Sequence, residues 1–182
     1  MNRLADSKTT KKMLADALKC VMKEKVFAKI SVTDICDRCN MNRKSFYYHF
    51  KDKYDLVNWI FDTEFIAVAK KKTYLDIWEL LTELCDYFYE NREFYHKALQ
   101  IDGQNSFSDY FRKLILYIIA ECLPDIIGVQ EIPEFQMNFF ADAYSMSFQR
   151  WLSEYPAMLP EEFIEQLKSC IKYMAVGYEK ME

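Results

Sequence analysis

Glycine is nearly absent from this chain. Gly103, Gly128 and Gly177 are the whole supply in 182 residues, and the prolines stand at 124, 133, 156 and 160. A phosphate-cradling glycine loop is thereby excluded. Before residue 103 no helix is broken by either residue type. Histidine is scarcer still: His49 and His96 are too few for most triad or metal chemistry. Catalysis is not expected, and neither is a bound cofactor or metal. The longest plain apolar run, Leu114 to Ala120, is far short of the roughly 20 residues that span a bilayer. No apolar stretch follows the basic start, so no secretory signal is expected. A cytoplasmic protein, away from membranes and with reduced thiols, is the expectation.

What the chain does contain is apolar bulk. Half of it is hydrophobic and 16% is aromatic, enough for a packed core rather than disorder. Strict alternation of apolar and polar residues is scarce, so the fold class expected is all-α. Ser7, Thr9 or Thr10 can cap a first helix to about Lys25, with Leu14, Ala17, Leu18, Val21 and Met22 on one face. Ser31 caps a short second helix. Asn40 tolerates the left-handed turn that ends it, and Asn42 caps a third helix with Phe46 and Phe50 turned inward. Asp52 opens a fourth helix to about Lys72. Further amphipathic helices are expected near 74–90, 92–101, 106–122, 134–153 and 161–178. Breaks are expected at Gly103, at Pro124 to Pro133, and at Tyr155 to Pro160.

Charge is distributed unevenly. Residues 1–53 hold thirteen Lys and Arg against six Asp and Glu, a net of +7, while residues 54–182 hold eleven against twenty-two. A basic head on an acidic body fits a protein of which only the head meets a polyanion. The stretch ISVTDICDRCNMNRKSFYYHF, Ile30 to Phe50, reads as helix, tight turn, helix. An α-helix fits the major groove of duplex DNA with its outward side against the base edges. Asn42, Arg43, Tyr47 and Ser45 would share that outward side, and Lys44 stands on the same helix. Tyr48, His49, Lys51 and Lys53 stand near its far end, where phosphate oxygens lie. Thr33, near the start of the second helix, can donate to a further phosphate. A merely solvated polar hairpin is the competing reading. Two tyrosines beside a histidine, and positive charge inside an acidic protein, count against it.

Cys36 and Cys39 form a CxxC without a second pair, so small apolar packing is expected of them rather than zinc. Cys20, Cys85, Cys122 and Cys170 are scattered and read as core.

Thr33, Asn40, Tyr47 with Tyr48 and His49, Phe50, Lys51 to Lys53, and Asp55–Leu56 together resemble the DNA-binding head of the TetR family of bacterial transcriptional regulators. The resemblance covers residues 8 to about 60. Two positions depart from the family pattern: Asn40 stands where glycine is common at the turn, and Lys44 where glycine is common in the recognition helix. The resemblance implies a three-helix helix-turn-helix domain over 1–53 and a helical-bundle regulatory and dimerisation domain over 54–182. It implies repression as the commoner outcome, with activation as the alternative. It also implies a homodimer on a palindromic operator, through a four-helix bundle of the last two helices. Phe135, Phe139, Met146 and Trp151 would supply one face, and Phe163, Leu167, Ile171 and Met174 the other; such stripes also occur as plain core. A small-molecule effector pocket between the middle helices is the third implication. Trp78, Tyr87, Tyr95, His96, Phe107, Tyr110 and Phe111 are its candidates, and an aromatic core explains them equally well. The string NRKSFYYHFKDKYDL further resembles relatives of the activator of dihydroxyacetone kinase operons. That branch implies a body that engages a protein partner instead of a drug. A helical interaction module that grips protein instead of DNA is the rival from another class.

Overall fold

A computed structural model describes residues 3–179 except 102, 104 and 155–157; side chains 3–6 and 174–179 lie outside the description. Among the described residues the fold is all-α, with no strand. The helices are α1 (Arg3–Glu24), α2 (Val32–Arg38), α3 (Arg43–His49), α4 (Lys53–Phe61), α5 (Ala67–Ala69), α6 (Ile77–Glu90), α7 (Arg92–Leu99), α8 (Phe107–Ile127), α9 (Glu134–Ser153) and α10 (Pro160–Glu179). None of them is long and apolar enough to cross a membrane.

Three local readings need correction. α1 begins at Arg3, upstream of Ser7, Thr9 and Thr10, so none of these caps it. No glycine or proline lies there to stop the helix from extending backwards. The fourth helix does not run evenly to Lys72. It gives way to a π-helical segment, Asp62–Ile66, before α5. The wider turn leaves Phe61 and Phe65 stacked, ring centroids 5.4 Å apart, with both buried. Finally, α8 continues through Pro124 to Ile127. Proline removes one helical donor, but the helix is stopped later, by Gly128 at φ 73° and the Val129 N–H bonding back to the Pro124 carbonyl at 3.0 Å.

The chain divides into two compact units, at places other than 53/54. Unit one holds residues 1–71 and 93–110; unit two holds 72–92 and 111–182. In unit one, Leu14, Leu18, Val21 and Met22 of α1 are fully buried against Ile35, Phe46, Leu56 and Ile60. α7 and the start of α8 belong to the same unit. Tyr95 and Phe107 lie 5.9 and 5.3 Å from the Phe61 ring, and the Lys97 ammonium donates to the Met22 carbonyl at 2.7 Å. The Tyr110 hydroxyl donates to Asp62 at the π-helical segment. Unit two is centred on a chain of rings, Phe88, Phe111, Phe148 and Phe163, in edge contacts of 5.1 to 5.3 Å. Trp151 stacks on Phe163 at 4.4 Å, and its indole N–H bonds the Met158 carbonyl, tying the end of α9 to the approach to α10.

Candidate nucleic-acid interface

The candidate reading helix, α3, is positioned by two caps and a turn. At the start of α2 the Ser31 hydroxyl accepts from the Asp34 N–H, while the Asp34 carboxylate accepts from the Ser31 N–H, a reciprocal box. The Lys25 ammonium, 2.5 Å away, and the Ser31 donors hold the Asp34 carboxyl well below the usual carboxylate range. α2 stops at Asn40, whose φ of 54° is a conformation that asparagine tolerates better than most residues. The Met41 N–H then bonds the Cys36 carbonyl at 2.9 Å, and Asn42 caps α3 by accepting from the Ser45 N–H at 2.8 Å. A four-residue connection results, held by backbone bonds rather than by glycine.

Phe46 and Phe50 fill the core at 0% and 3% exposure. With those two inward, the opposite side of α3 is left to Arg43, Lys44, Tyr47 and Tyr48, all exposed. Tyr48 is 83% exposed and Tyr47 51%, burial that a folded chain rarely forgoes for aromatic side chains without a partner. The Arg43 guanidinium lies 5.8 Å from the Tyr47 ring and donates to its hydroxyl at 3.5 Å. Tyr47 therefore props Arg43. Ser45 and His49 are half-buried, and Thr33 is exposed at the second position of α2. Asn42 is exposed, but its carbonyl oxygen is occupied by the cap, which leaves its amide N–H groups for any further partner.

Lys53 departs from the sequence expectation. Its ammonium donates to the carbonyls of Ile30 at 2.7 Å, Phe27 at 2.8 Å and Ala28 at 3.4 Å, and lies 4.5 Å over the Phe27 ring. Three donors on three carbonyls leave none for a phosphate. Burial pushes its pKa down, against the raising fields of Asp34 and Asp52. Other cations are engaged too: Lys19 with Glu64, Lys25 with Asp34, Arg38 with Glu24, and Lys11 over the Phe50 and Trp59 rings. Lys8, Lys12, Lys23, Lys29, Lys44 and Lys51 are exposed, with no ion pair or side-chain hydrogen bond among the described residues. With Arg43, this second set makes up the unpaired positive surface of the head among the described residues. Sequence alone could not sort the two sets.

The cysteines sit as small apolar groups near the turn. Cys36 is 1% exposed and Cys39 is half-buried with its thiol on the Ile35 carbonyl; burial pushes both thiols up.

The seven effector candidates divide between the two units. Tyr95, Phe107 and Tyr110 belong to the ring cluster around Phe61 in unit one. His96 lies in the same unit, on a groove of about 570 Å³ beside the end of α1, where its Nε2 is 3.2 Å from Gln100. Tyr87 and Phe111 contact Phe88 in unit two. Trp78 lines an apolar crevice of about 50 Å³ in that unit, with Leu81, Ile119, Leu123, Tyr144 and Phe148. Tyr144, unremarked in the sequence, has its hydroxyl buried without a hydrogen-bond partner among the described residues.

The dimer candidates separate by face. Phe135, Phe139 and Met146 of α9 are 79%, 57% and 56% exposed. Trp151, on the same helix, is 3% exposed, and Phe163 and Leu167 of α10 are 7% and 5% exposed, so these three belong to the interior of unit two. The reason is angular. At about 100° per residue Trp151 lies roughly 160° around α9 from Phe135. Ile171 is half-buried and lines the crevice, and the Met174 side chain lies outside the described residues.

Known proteins agree with this architecture. Residues 14–60 match the family model described as bacterial regulatory proteins, tetR family, and residues 76–173 match that of a transcriptional regulator C-terminal region. The HTH-type dhaKLM operon transcriptional activator DhaS of Lactococcus lactis subsp. lactis (strain IL1403) is 34% identical over 104 residues, which are 56% of this chain and 54% of that protein. The match thus spans about half the length of this curated relative. Among solved structures, that of a dihydroxyacetone kinase operon activator DhaS is similar over 94% of this chain and 97% of its own, with TM-score 0.59 and 23% identity. A TetR transcriptional regulator from Streptococcus agalactiae 2603V is similar over 93% and 97%, with TM-score 0.68 and 19% identity. With its head and body both matched, this chain belongs to the TetR family of DNA-binding transcriptional regulators, a family of non-enzymes.

Proposed function

We propose that this regulator reads a palindromic DNA site as a homodimer, each subunit placing α3 in one major groove. The observation that carries this is the row Arg43, Lys44, Tyr47 and Tyr48, displayed outward by the buried Phe46 and Phe50. Arginine offers a two-pronged donor to guanine, and lysines around it neutralise phosphates. Residues 1–53 supply the DNA contacts and 54–182 the dimerisation and control. The exposed stripe Phe135, Phe139 and Met146 supports pairing through α9, since three large apolar side chains on one helix face are costly to leave in water. Two-fold symmetry then matches half-sites ~34 Å apart, or a multiple of that.

Control through the body is supported by the crevice with the buried Tyr144 hydroxyl. At about 50 Å³ it is well below the ~150 Å³ that accepts benzene. A ligand must widen it by moving α6, α8, α9 or α10. Such a ligand has different affinities for two states, as a population shift requires. On the sign of control, similarity to an activator favours activation over repression. A body that binds a protein partner remains the alternative to ligand control.

The test is selection of bound sites from random duplexes, followed by titration of variants. A palindrome is expected. Arg43→Ala should cost roughly 1–3 kcal/mol and relax base preference at one position per half-site, whereas Lys51→Ala should weaken all sequences about equally. An Arg43→Ala protein with unchanged affinity and preference removes α3 as the reader. A promoter-fused reporter gives the sign.

A further inference from the structure

The first turns of α1 carry cations that the reading-helix account does not use. Lys8 and Lys12 are exposed and without partners among the described residues. At i and i+4 they stand one above the other on α1. Their position in the head follows from two contacts. The Lys11 ammonium lies 5.6 Å from the Phe50 ring and 5.7 Å from the Trp59 ring, which seats this part of α1 against the end of α3 and a residue nearly two turns into α4. Further along α1, Lys19 pairs with Glu64, in the π-helical continuation of α4. α1 and α4 therefore advance in the same direction. Lys8 and Lys12 flank Lys11 on α1, and the exposed Lys51 directly follows the Phe50 that Lys11 touches.

Acidic groups stand near this charge, but the head as a whole stays at a net of +7. Asp52 accepts the Tyr54 and Asp55 N–H groups as the cap of α4, and Asp55 accepts the Lys51 N–H. Asp16, exposed one turn beyond Lys12, is a counter-charge on α1, as is Asp6, whose side chain lies outside the description. Lys11 is held against two rings, so the pair beside it is presented on a fixed base rather than on a loose arm.

We infer that Lys8 and Lys12, with Lys51, form a ridge that grips the phosphate backbone of duplex DNA beside the groove read by α3. The inference rests on the α3 reading proposed above. The occupant is a polyanion rather than an acidic protein, because the pair flanks Lys11, which touches the Phe50 that ends α3 and precedes Lys51, in a head of net charge +7. It carries no sequence preference. Its work is to raise affinity and set the head's angle on the duplex.

The test is a salt titration of the full-length protein on its selected duplex and on an unrelated one. Each phosphate neutralised adds about 0.9 to the slope of log affinity against log salt. The Lys8→Gln/Lys12→Gln double variant should lower that slope by about 2 per head on both duplexes, with base preference and thermal melting unchanged. An unchanged slope overturns the ridge. Arg43→Ala is run in parallel and decides α3 alone, through base preference, so the two readings fail separately.

Discussion

Replacing Lys53 by Met keeps the aliphatic stem and removes the ammonium that three backbone carbonyls share. The Ile30 carbonyl loses its 2.7 Å partner. The Phe27 carbonyl loses one at 2.8 Å but keeps the Ile30 N–H at 3.0 Å, and Ala28 is open to water. An orphaned part-buried carbonyl costs about 1–3 kcal/mol. The second bond to the Phe27 carbonyl and the ring contact add about 0.5–1 kcal/mol each. Against this stands relief from holding a charge in a site where burial already pushes its pKa down. The balance is a loss of about 2 kcal/mol. In a chain of this length that lowers the melting temperature by about 4–8 °C. Thermal melting followed by circular dichroism measures it, with a salt titration of DNA binding beside it. A lysine that meets phosphate behaves in the opposite way, leaving melting unchanged and taking about 1 from the salt slope. That result would refute the internal role and restore the reading made from sequence.

Three further outcomes follow from the same geometry. Asn42→Ala removes the cap of α3 and should cost about 1 kcal/mol in urea unfolding, while Asn42→Asp keeps an acceptor and should cost much less. Asp34 has a folded pKa below its unfolded value, so its contribution is present above about pH 4 and lost as pH falls through the folded value. Melting temperature should therefore drop more steeply below pH 4 in the unsubstituted protein than in Asp34→Asn; parallel curves would count against the Lys25 and Ser31 contacts. Phe139→Lys should abolish self-association in sedimentation with little change in melting. Trp151→Ala should instead destabilise unit two by about 3–5 kcal/mol; a weakened dimer of unchanged stability would show that Trp151 faces a partner.

The head was legible because its signals are local. Ser31, Asn40 and Asn42 act on backbone groups two to four residues away, so a cap or a left-handed turn is written where it operates. Phe46 and Phe50 declare the inner side of α3 by spacing alone. The same locality explains one failure. Proline at 124 carried a strong stop signal, yet losing one donor was outweighed by the packing of Ile119 and Leu123, and Gly128 ended the helix instead. The π-helical turn at Asp62–Ile66 had no readable signal, since it serves the ring cluster that Tyr95 and Phe107 complete from distant sequence.

The aromatic and basic side chains drew the opposite outcome. Composition told that rings would be buried but not in which unit, and the effector candidates divided accordingly. On α9 both faces are apolar, and period alone cannot say that Phe148 and Trp151 meet the core while Phe135 and Phe139 meet water. Caps, helix positions and a net-positive head follow from neighbours along the chain. The engagement of Lys53, Lys19 and Lys25 by carbonyls and carboxylates, and the freedom of Lys8, Lys12 and Lys51, follow from partners up to 45 residues away. A charge is assigned in sequence, but whether it is available depends on which acid, ring or carbonyl the fold brings within reach.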